Sequence, residues 1–447
     1  MLFILITIVI LVLWIIIGTT YLKLHPFIVL FTASILLGLS LEIHFVELLK
    51  LLFIGFSETL QKIGLLIIFG TIIGKTLELT NATSSIANHI IMRFRKMPLQ
   101  FKIGFIGYII SIPVFCDAAF IILSKTIKSI SIKSKIPLKS LGVALSTGLF
   151  APHVLVPPTP GPLAAASNLR LEDFSLLIII GGVLAFILAV IGSTFSYLIY
   201  NRSSFDANLF FDQKHSKKFP SLSESIVPIF VPVILIAIGT LFGNLDTFKN
   251  LDFIFSFLGN PSFALLVGVI LSFRLIKFNP EIGLSFCIKN ALSSAFPIVL
   301  ITGMGGTLGL IMQKIPIEDF INIYSFDFSL VLLIPFFISS IFKTVQGSST
   351  VAIITTSTIM YPLLASLGLD NEIDKIWTIL SIGVGSMTVS HTNDSYFWIV
   401  SEMTGISAKK ALKYHTTGTL IQGIAGIVFI LIGYKLTSLV NFILINN

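Results

Sequence analysis

Charge is what this sequence has least of. Only 11% of its 447 residues are Asp, Glu, Lys or Arg, about half the share usual in soluble chains. A soluble domain of this length keeps much of its surface in water, so the outside of this chain requires another solvent. Cysteine is scarcer still. Cys116 and Cys287 stand far apart inside apolar stretches, which excludes a disulfide framework and a zinc pattern. No His-Glu-x-x-His and no nucleophile elbow appears, so metal and triad hydrolases have no footing. Alternating ten-residue strands are missing, which argues against a β-barrel. The first 20 residues carry no basic n-region and no small-residue cleavage site, and so read as a retained span.

What the chain has in abundance is apolar length. Hydrophobic residues make up 55% and mean hydropathy is +0.99. Several runs reach the roughly 20 apolar residues needed to cross a bilayer as a helix. Full spans are expected near 2–22, 26–41, 62–84, 174–200, 225–243, 254–274, 284–312 and 415–440. The stretch 43–58, with Glu42, His44, Glu47, Lys50 and Glu58, is amphipathic and is expected at an interface. The net charge of +8 sits in short loops, where positive-inside bias is the ordinary cause. The lipid bilayer is the partner this implies, not nucleic acid.

Four apolar regions are interrupted: 103–130, 140–168, 328–367 and 376–403. Nine basic residues, Arg93 to Lys102 and Lys125 to Lys139, flank the first on both sides. Both flanks therefore belong on the cytoplasmic face, which a re-entrant hairpin satisfies and a single span does not. The third is flanked by six acidic residues, Glu318, Asp319, Asp327, Asp370, Glu372 and Asp374, against Lys314 and Lys375. It reads as a hairpin from the opposite face. The Arg202/Lys214/Lys217/Lys218 loop then falls inside, and the Asp246/Asp252 loop and both termini fall outside.

Asp117 and Ser348 are 231 residues apart, and Pro158 and His391 are 233 apart. These spacings expose a repeat. The expected fold is an all-α polytopic membrane protein forming one transmembrane domain over 1–447. Repeat 1 covers about 26–200, a connector 201–253, and an inverted repeat 2 about 254–440. Each repeat holds one re-entrant hairpin and one broken transmembrane helix. Broken helices meeting at the midplane are a transporter architecture.

Irregular backbone at membrane depth is tolerated only around a cavity or inside protein, so the breaks are where chemistry is expected. In Pro113-Val-Phe-Cys-Asp117, a carboxyl group stands in an apolar run. Asp117 is a candidate proton carrier or cation ligand, or else a structural cap. From Ala151 to Pro162 five prolines interrupt any helix. His153 there can titrate near neutrality, and Thr159 and Gly161 begin the next helix. In Lys343-Thr-Val-Gln-Gly347-Ser-Ser-Thr350, Gly347 permits close backbone approach. Ser348, Ser349 and Thr350 open a half-helix suited to an anion. Lys343 is either the counter-charge of a substrate carboxylate or a structural partner of Asp117 or Asp394. In Ser390-His391-Thr-Asn393-Asp394-Ser-Tyr-Phe-Trp398, Ser390 and Asn393 can orient a hydroxyl or carboxylate. Asp394 and His391 can move protons or hold a cation.

At these four breaks the sequence resembles the gluconate permease (GntP) family. The resemblance rests on Pro113-Val-Phe-Cys-Asp117, Pro157-Pro-Thr-Pro-Gly-Pro162, Gly347-Ser-Ser-Thr350-Val-Ala and Ser390-His391-Thr-Asn393-Asp394-Ser-Tyr-Phe-Trp398. It implies proton-coupled uptake of gluconate or related hydroxy and amino acids through the bacterial inner membrane. No cofactor is implied beyond the coupling ion, and a homodimer stays open. Family members carrying sugar acids typically have Glu where this chain has Asp117, His where it has Thr159, and Arg where it has Lys343. A shorter acid and a non-forked cation change pocket size and carboxylate geometry.

The competing expectation is a sodium-coupled carrier or antiporter with Asp117 and Asp394 as ion ligands. An enzyme would need a nucleophile–base pair, and a channel a filter or ring of charges. Neither pattern is present in the sequence.

Overall fold

In the computed structural model, residues 2–200, 219–243, 252–315 and 330–445 are described, and these form helices and turns with no strand among them. The chain runs α1 (Leu2–Thr20), α2 (Pro26–Ser40), α3 (Phe45–Leu79), α4 (Ala82–Arg93), α5 (Leu99–Ile110), α6 (Cys116–Ser134), α7 (Leu138–Leu155), α8 (Pro160–Asn168) and α9 (Phe174–Tyr200). It continues with α10 (Leu222–Gly243), α11 (Asp252–Gly259), α12 (Pro261–Phe273), α13 (Leu284–Met312), α14 (Leu333–Gln346) and α15 (Ser349–Met360). The last elements are α16 (Glu372–Met387), α17 (Ser395–Thr404) and α18 (Thr417–Ile445), the last preceded by a π-helical turn at Leu412–Thr416. Among the described residues, seven helical segments are long and apolar enough to cross a membrane. The Arg202–Lys218 loop, Asp246, Glu318, Asp319 and Asp327 lie outside the described residues.

Two expectations about span boundaries need correction. The amphipathic 43–58 stretch is not a separate interfacial segment. It is continuous with the following span in the 35-residue α3. Its charged residues lower hydropathy, but helical hydrogen bonding needs only the absence of a breaker, and none is present. The 62–84 span accordingly ends at Leu79, where Asn81 takes a left-handed conformation and α4 begins. The 254–274 span divides in two. Asn260 Oδ1 accepts from Ser262 N at 3.0 Å and Phe263 N at 3.2 Å, and Pro261 occupies the first helical turn. A capped start with proline inside it is a new helix, whatever the hydropathy.

All four expected interruptions are breaks in helix. They lie at 111–115, 156–159, 347–348 and 388–394. The helices around the breaks form the interior. Every residue from Ser140 to Leu155 in α7 is buried, as are Pro160–Ser167 in α8 and Val351–Met360 in α15. Longer apolar helices surround them and leave Phe53, Val183, Ile270 and Ile424 more than half exposed. In water that pattern would be unstable, and in lipid it costs nothing.

Helix contact depends on small residues, as expected where lipid removes the hydrophobic drive between helices. α3 and α13 lie so close that a Cβ on Gly306 would fall 1.8 Å from Thr59 Oγ1, and one on Gly55 2.7 Å from the Thr307 Cα. α8 packs on α15, α14 on α16, and α6 on both α7 and α17. The breaks at 111–115 and 156–159 meet each other. So do those at 347–348 and 388–394, where Gly347 abuts the Asn393 carbonyl.

Candidate functional site

A cavity of about 230 Å³ opens where these elements converge. Its wall comes from Cys116 and Asp117 at the start of α6, Phe150 and His153 in α7, the Gln346–Thr350 turn, and Asn393–Tyr396. Gly347 has φ +84° and closes α14 in the left-handed conformation. A side chain there would be strained by that backbone and would meet Asn393 O. The turn therefore brings two helix ends together with no bulk between them. Ser348 is the N-cap of α15, its Oγ accepting from Val351 N at 3.3 Å. Ser348 is itself exposed, whereas Ser349 is buried and its hydroxyl donates to Ser386 O at 2.9 Å. Thr350 completes the first turn on the cavity wall. The free amides of this turn and the positive end of the helix dipole both face the opening.

Behind the turn lies an ion pair. Lys343 Nζ is 2.5 Å from Asp394 Oδ2, with side-chain exposures of 1% and 5%. The ammonium also donates to Gly347 O at 2.6 Å and lies 5.3 Å from the Phe150 ring centre. Of the two roles open to Lys343 in the sequence, the geometry places it against Asp394. Ser390 Oγ donates to the same Oδ2 at 2.5 Å, while Asp394 Oδ1 caps α17 by accepting from Tyr396 N at 3.0 Å. His391 Nε2 at 2.8 Å and Asn393 Nδ2 at 2.6 Å both meet Thr344 O at the end of α14. His391 is thus engaged with backbone, and only the rest of Asn393 faces the cavity.

Asp117 differs from every other acid near the cavity. It is half-buried in the first turn of α6, with the Cys116 thiol 3.6 Å from Oδ1. Among the described residues no cation lies within ion-pair distance of it. Two further side chains on the wall have unmet polar atoms among the described residues: His153 Nδ1, and both Nε2 and Oε1 of Gln346. Buried polar atoms are normally satisfied, so unmet ones aimed into a cavity mark a place for a ligand or water.

Five candidates lie off the cavity wall: Lys343, Ser390 and His391 stand behind it, and two more stand apart. Thr159 Oγ1 donates to Val156 O at 2.5 Å, and Gly161 packs against Ile353, with neither on the cavity wall. Conversely, sequence reasoning missed Gln346 and His415. Gln346 directly precedes the Gly347 turn and was recoverable by asking which polar residues an αL turn exposes. His415 carried no local signal beyond a lone histidine at the edge of a span.

Comparison with known proteins assigns the lineage. Residues 1–436 match the GntP family permease description. The chain belongs to the GntP permease family. It is similar to the inner membrane permease YgbN of Escherichia coli, 29% identical, covering 90% of this chain and 92% of that one. The gluconate permease of Pseudomonas aeruginosa is 28% identical, covering 92% and 93%. The D-serine transporter DsdX of Escherichia coli is 26% identical, covering 91% and 92%. In fold, the permease is similar to the YdaH transporter of Alcanivorax borkumensis, with TM-score 0.64 at 12% identity, covering 92% of this chain and 99% of that one. It is a multi-pass membrane permease and not an enzyme.

Proposed function

We propose that this permease takes up a small carboxylate together with one proton across the bacterial inner membrane. The observation that carries the reading is one cavity holding both the α15 N-terminus and an unpaired Asp117. The substrate carboxylate docks on the amides and Ser348 hydroxyl of the 347–350 turn, opposite Asn393 and Gln346. Lys343 and Asp394 cancel each other's charge, so an ionised Asp117 leaves the cavity net negative. Two carboxylates sharing so small a site do not both ionise. The anion therefore binds with Asp117 protonated, and leaves with that proton, which is symport by electrostatics alone.

Gluconate and D-serine, carried by the relatives named for them, share a carboxylate with a polar substituent on the adjacent carbon. A small 2-hydroxy or 2-amino acid is the corresponding substrate class here. The Gln346 amide, with its donor and acceptor both unmet, suits either substituent.

The rim residues Ser348, Asn393 and Ser395 are exposed, and α6 and α17 both start at this cavity. Those helices lead to Lys125–Lys139 and Lys409–Lys413, so this rim is assigned to the cytoplasmic face. Asn168 Nδ2 ties α8 to α15 through Ser357 Oγ at 2.9 Å and Thr358 Oγ1 at 3.1 Å, and we read this contact as the closure on the opposite face. The two hairpins, α5–α6 and α14–α15, are read as re-entrant from opposite faces, one in each inverted repeat.

The test is uptake into proteoliposomes. Acid outside, without sodium, should drive accumulation of labelled gluconate, or of D-serine. Accumulation on a sodium gradient alone would replace the proton by sodium. Competition should favour the free acid over its primary amide by roughly ten- to a hundredfold, the worth of a charge-assisted contact. Equal competition would defeat carboxylate recognition.

A further inference from the structure

Behind the cavity wall lies a hydrogen-bonded chain that the transport reading does not use. It begins at Asp394 Oδ2 and passes to Ser390 Oγ. His415 Nε2 then lies 3.0 Å from Ser390 Oγ, and His415 Nδ1 lies 3.1 Å from Ser146 Oγ. His415, Ser390 and Ser146 are each fully buried. Tyr396 closes the circuit, its N–H on Asp394 Oδ1 and its OH donating to Ser146 O at 3.0 Å.

Donor accounting fixes the direction of the chain. A carboxylate paired with a lysine only accepts. Ser390 therefore spends its single proton on Asp394 and must accept from His415. Nε2 carries the hydrogen, and on a neutral ring Nδ1 is left to accept from Ser146, whose hydroxyl also lies 3.0 Å from Val143 O and turns from that carbonyl to the ring.

The backbone supports the same conclusion. Val389 has φ +57°, a conformation costly for a β-branched residue. Such strain persists only where its surroundings impose it. Here Ser390 N donates to Thr419 Oγ1 at 3.2 Å, and Ser390 O accepts from Thr416 Oγ1 at 2.5 Å. Thr416 and His415 both belong to the π-helical turn at 412–416, and such turns recur at functional sites. The wider turn brings His415 and Thr416 to the same neighbour, which it holds by side chain and backbone together.

We propose that His415 is a positioning residue for the substrate site, acting through Ser390. It holds the Ser390 hydroxyl toward Asp394. Asp394 holds Lys343, and Lys343 holds the Gly347 carbonyl, fixing the turn whose amides face the anion. The inference rests on the 347–350 turn being the anion site.

Two measurements separate the failure of this inference from failure of that reading. The first needs no substrate and no variant. In ¹⁵N-histidine NMR of the full chain in lipid nanodiscs at neutral pH, His415 should be the neutral Nε2–H tautomer. A Nδ1–H tautomer or an imidazolium would overturn the proposal even if transport behaves as described. The second uses gluconate uptake. Asn at 415 imitates Nδ1 but stops short of Ser390, whereas Gln reaches it with a donor. His415→Asn should raise KM about five- to tenfold, the value of one hydrogen bond, with maximal rate nearly kept. His415→Gln should restore most of the wild-type KM. Ser390→Ala should raise KM comparably, and the double variant Ser390→Ala/His415→Asn should be no worse than Ser390→Ala alone. Multiplying penalties would mean that His415 acts by a separate, merely structural route, and would also overturn the proposal.

Discussion

Two junctions in this permease have the same construction and opposite chemistry. In each, the turn between two helices meets the break in another. At the first, Ile112 and Pro113 meet Pro157 and Pro158 around an apolar void of about 30 Å³. At the second, Gly347 meets Asn393 beside a buried ion pair. Proline ends helices without leaving a donor to satisfy, so the first junction is sealed by packing alone. The second frees backbone amides, and those amides together with Lys343 and Asp394 create a polar site. Cys116, Asp117, Phe150 and His153 reach across from the helices of the first junction to the shared cavity. One junction thus supplies a rigid support with two ionisable side chains, Asp117 and His153, and the other supplies recognition.

The contrast can be broken by removing charge where it is buried. Lys343→Met leaves Asp394 uncompensated and should cost about 3–5 kcal/mol of stability, as for other half-removed buried pairs. Thermal unfolding in detergent measures it. Lys343→Met with Asp394→Leu should recover much of the loss, and a double variant as unstable as the single would mean the pair is not what holds the second junction.

Gly347→Ala comes next. The positive φ and the clash with Asn393 O should together cost on the order of 2–3 kcal/mol, with overpacking and backbone strain both contributing. Affinity for the proposed carboxylate substrate should fall with stability, because the turn is both a structural joint and the proposed anion cradle. Intact affinity in a destabilised protein would separate those two roles.

Ser348→Ala removes a helix cap and should cost about 1 kcal/mol. Thr159→Ala should cost less, since its hydroxyl bonds only Val156 O within its own turn. Uptake kinetics should register the Ser348 change alone. An equal rise of KM in both would place the substrate at the first junction as well.

Asp117→Asn should have the smallest effect on folding, within ~1 kcal/mol, because no ion pair is lost. Its effect on coupling should be the sharpest. Accumulation driven by pH should vanish while exchange of labelled for unlabelled substrate, gluconate or D-serine, persists. Normal pH-driven accumulation by the variant would remove Asp117 as the proton carrier.

What was legible in the sequence follows from local physics. Poverty of charge names the solvent, apolar runs name helices, and prolines or polar clusters name the breaks, because each acts within a few residues of itself. Reading went astray in α3 and at Asn260–Pro261 for one reason. Hydropathy reports solvent preference, whereas helix continuity is decided by backbone donors, caps and proline. The sequence by itself determined a lipid-embedded helical permease with four broken segments and a stock of polar residues at the breaks. Only the tertiary structure decided which of those residues meet. Lys343 and Asp394 are 51 positions apart and Ser146 and His415 are 269 apart. No periodicity or propensity encodes such pairings, since they exist only once lipid-excluded helices have packed and brought distant donors and acceptors together.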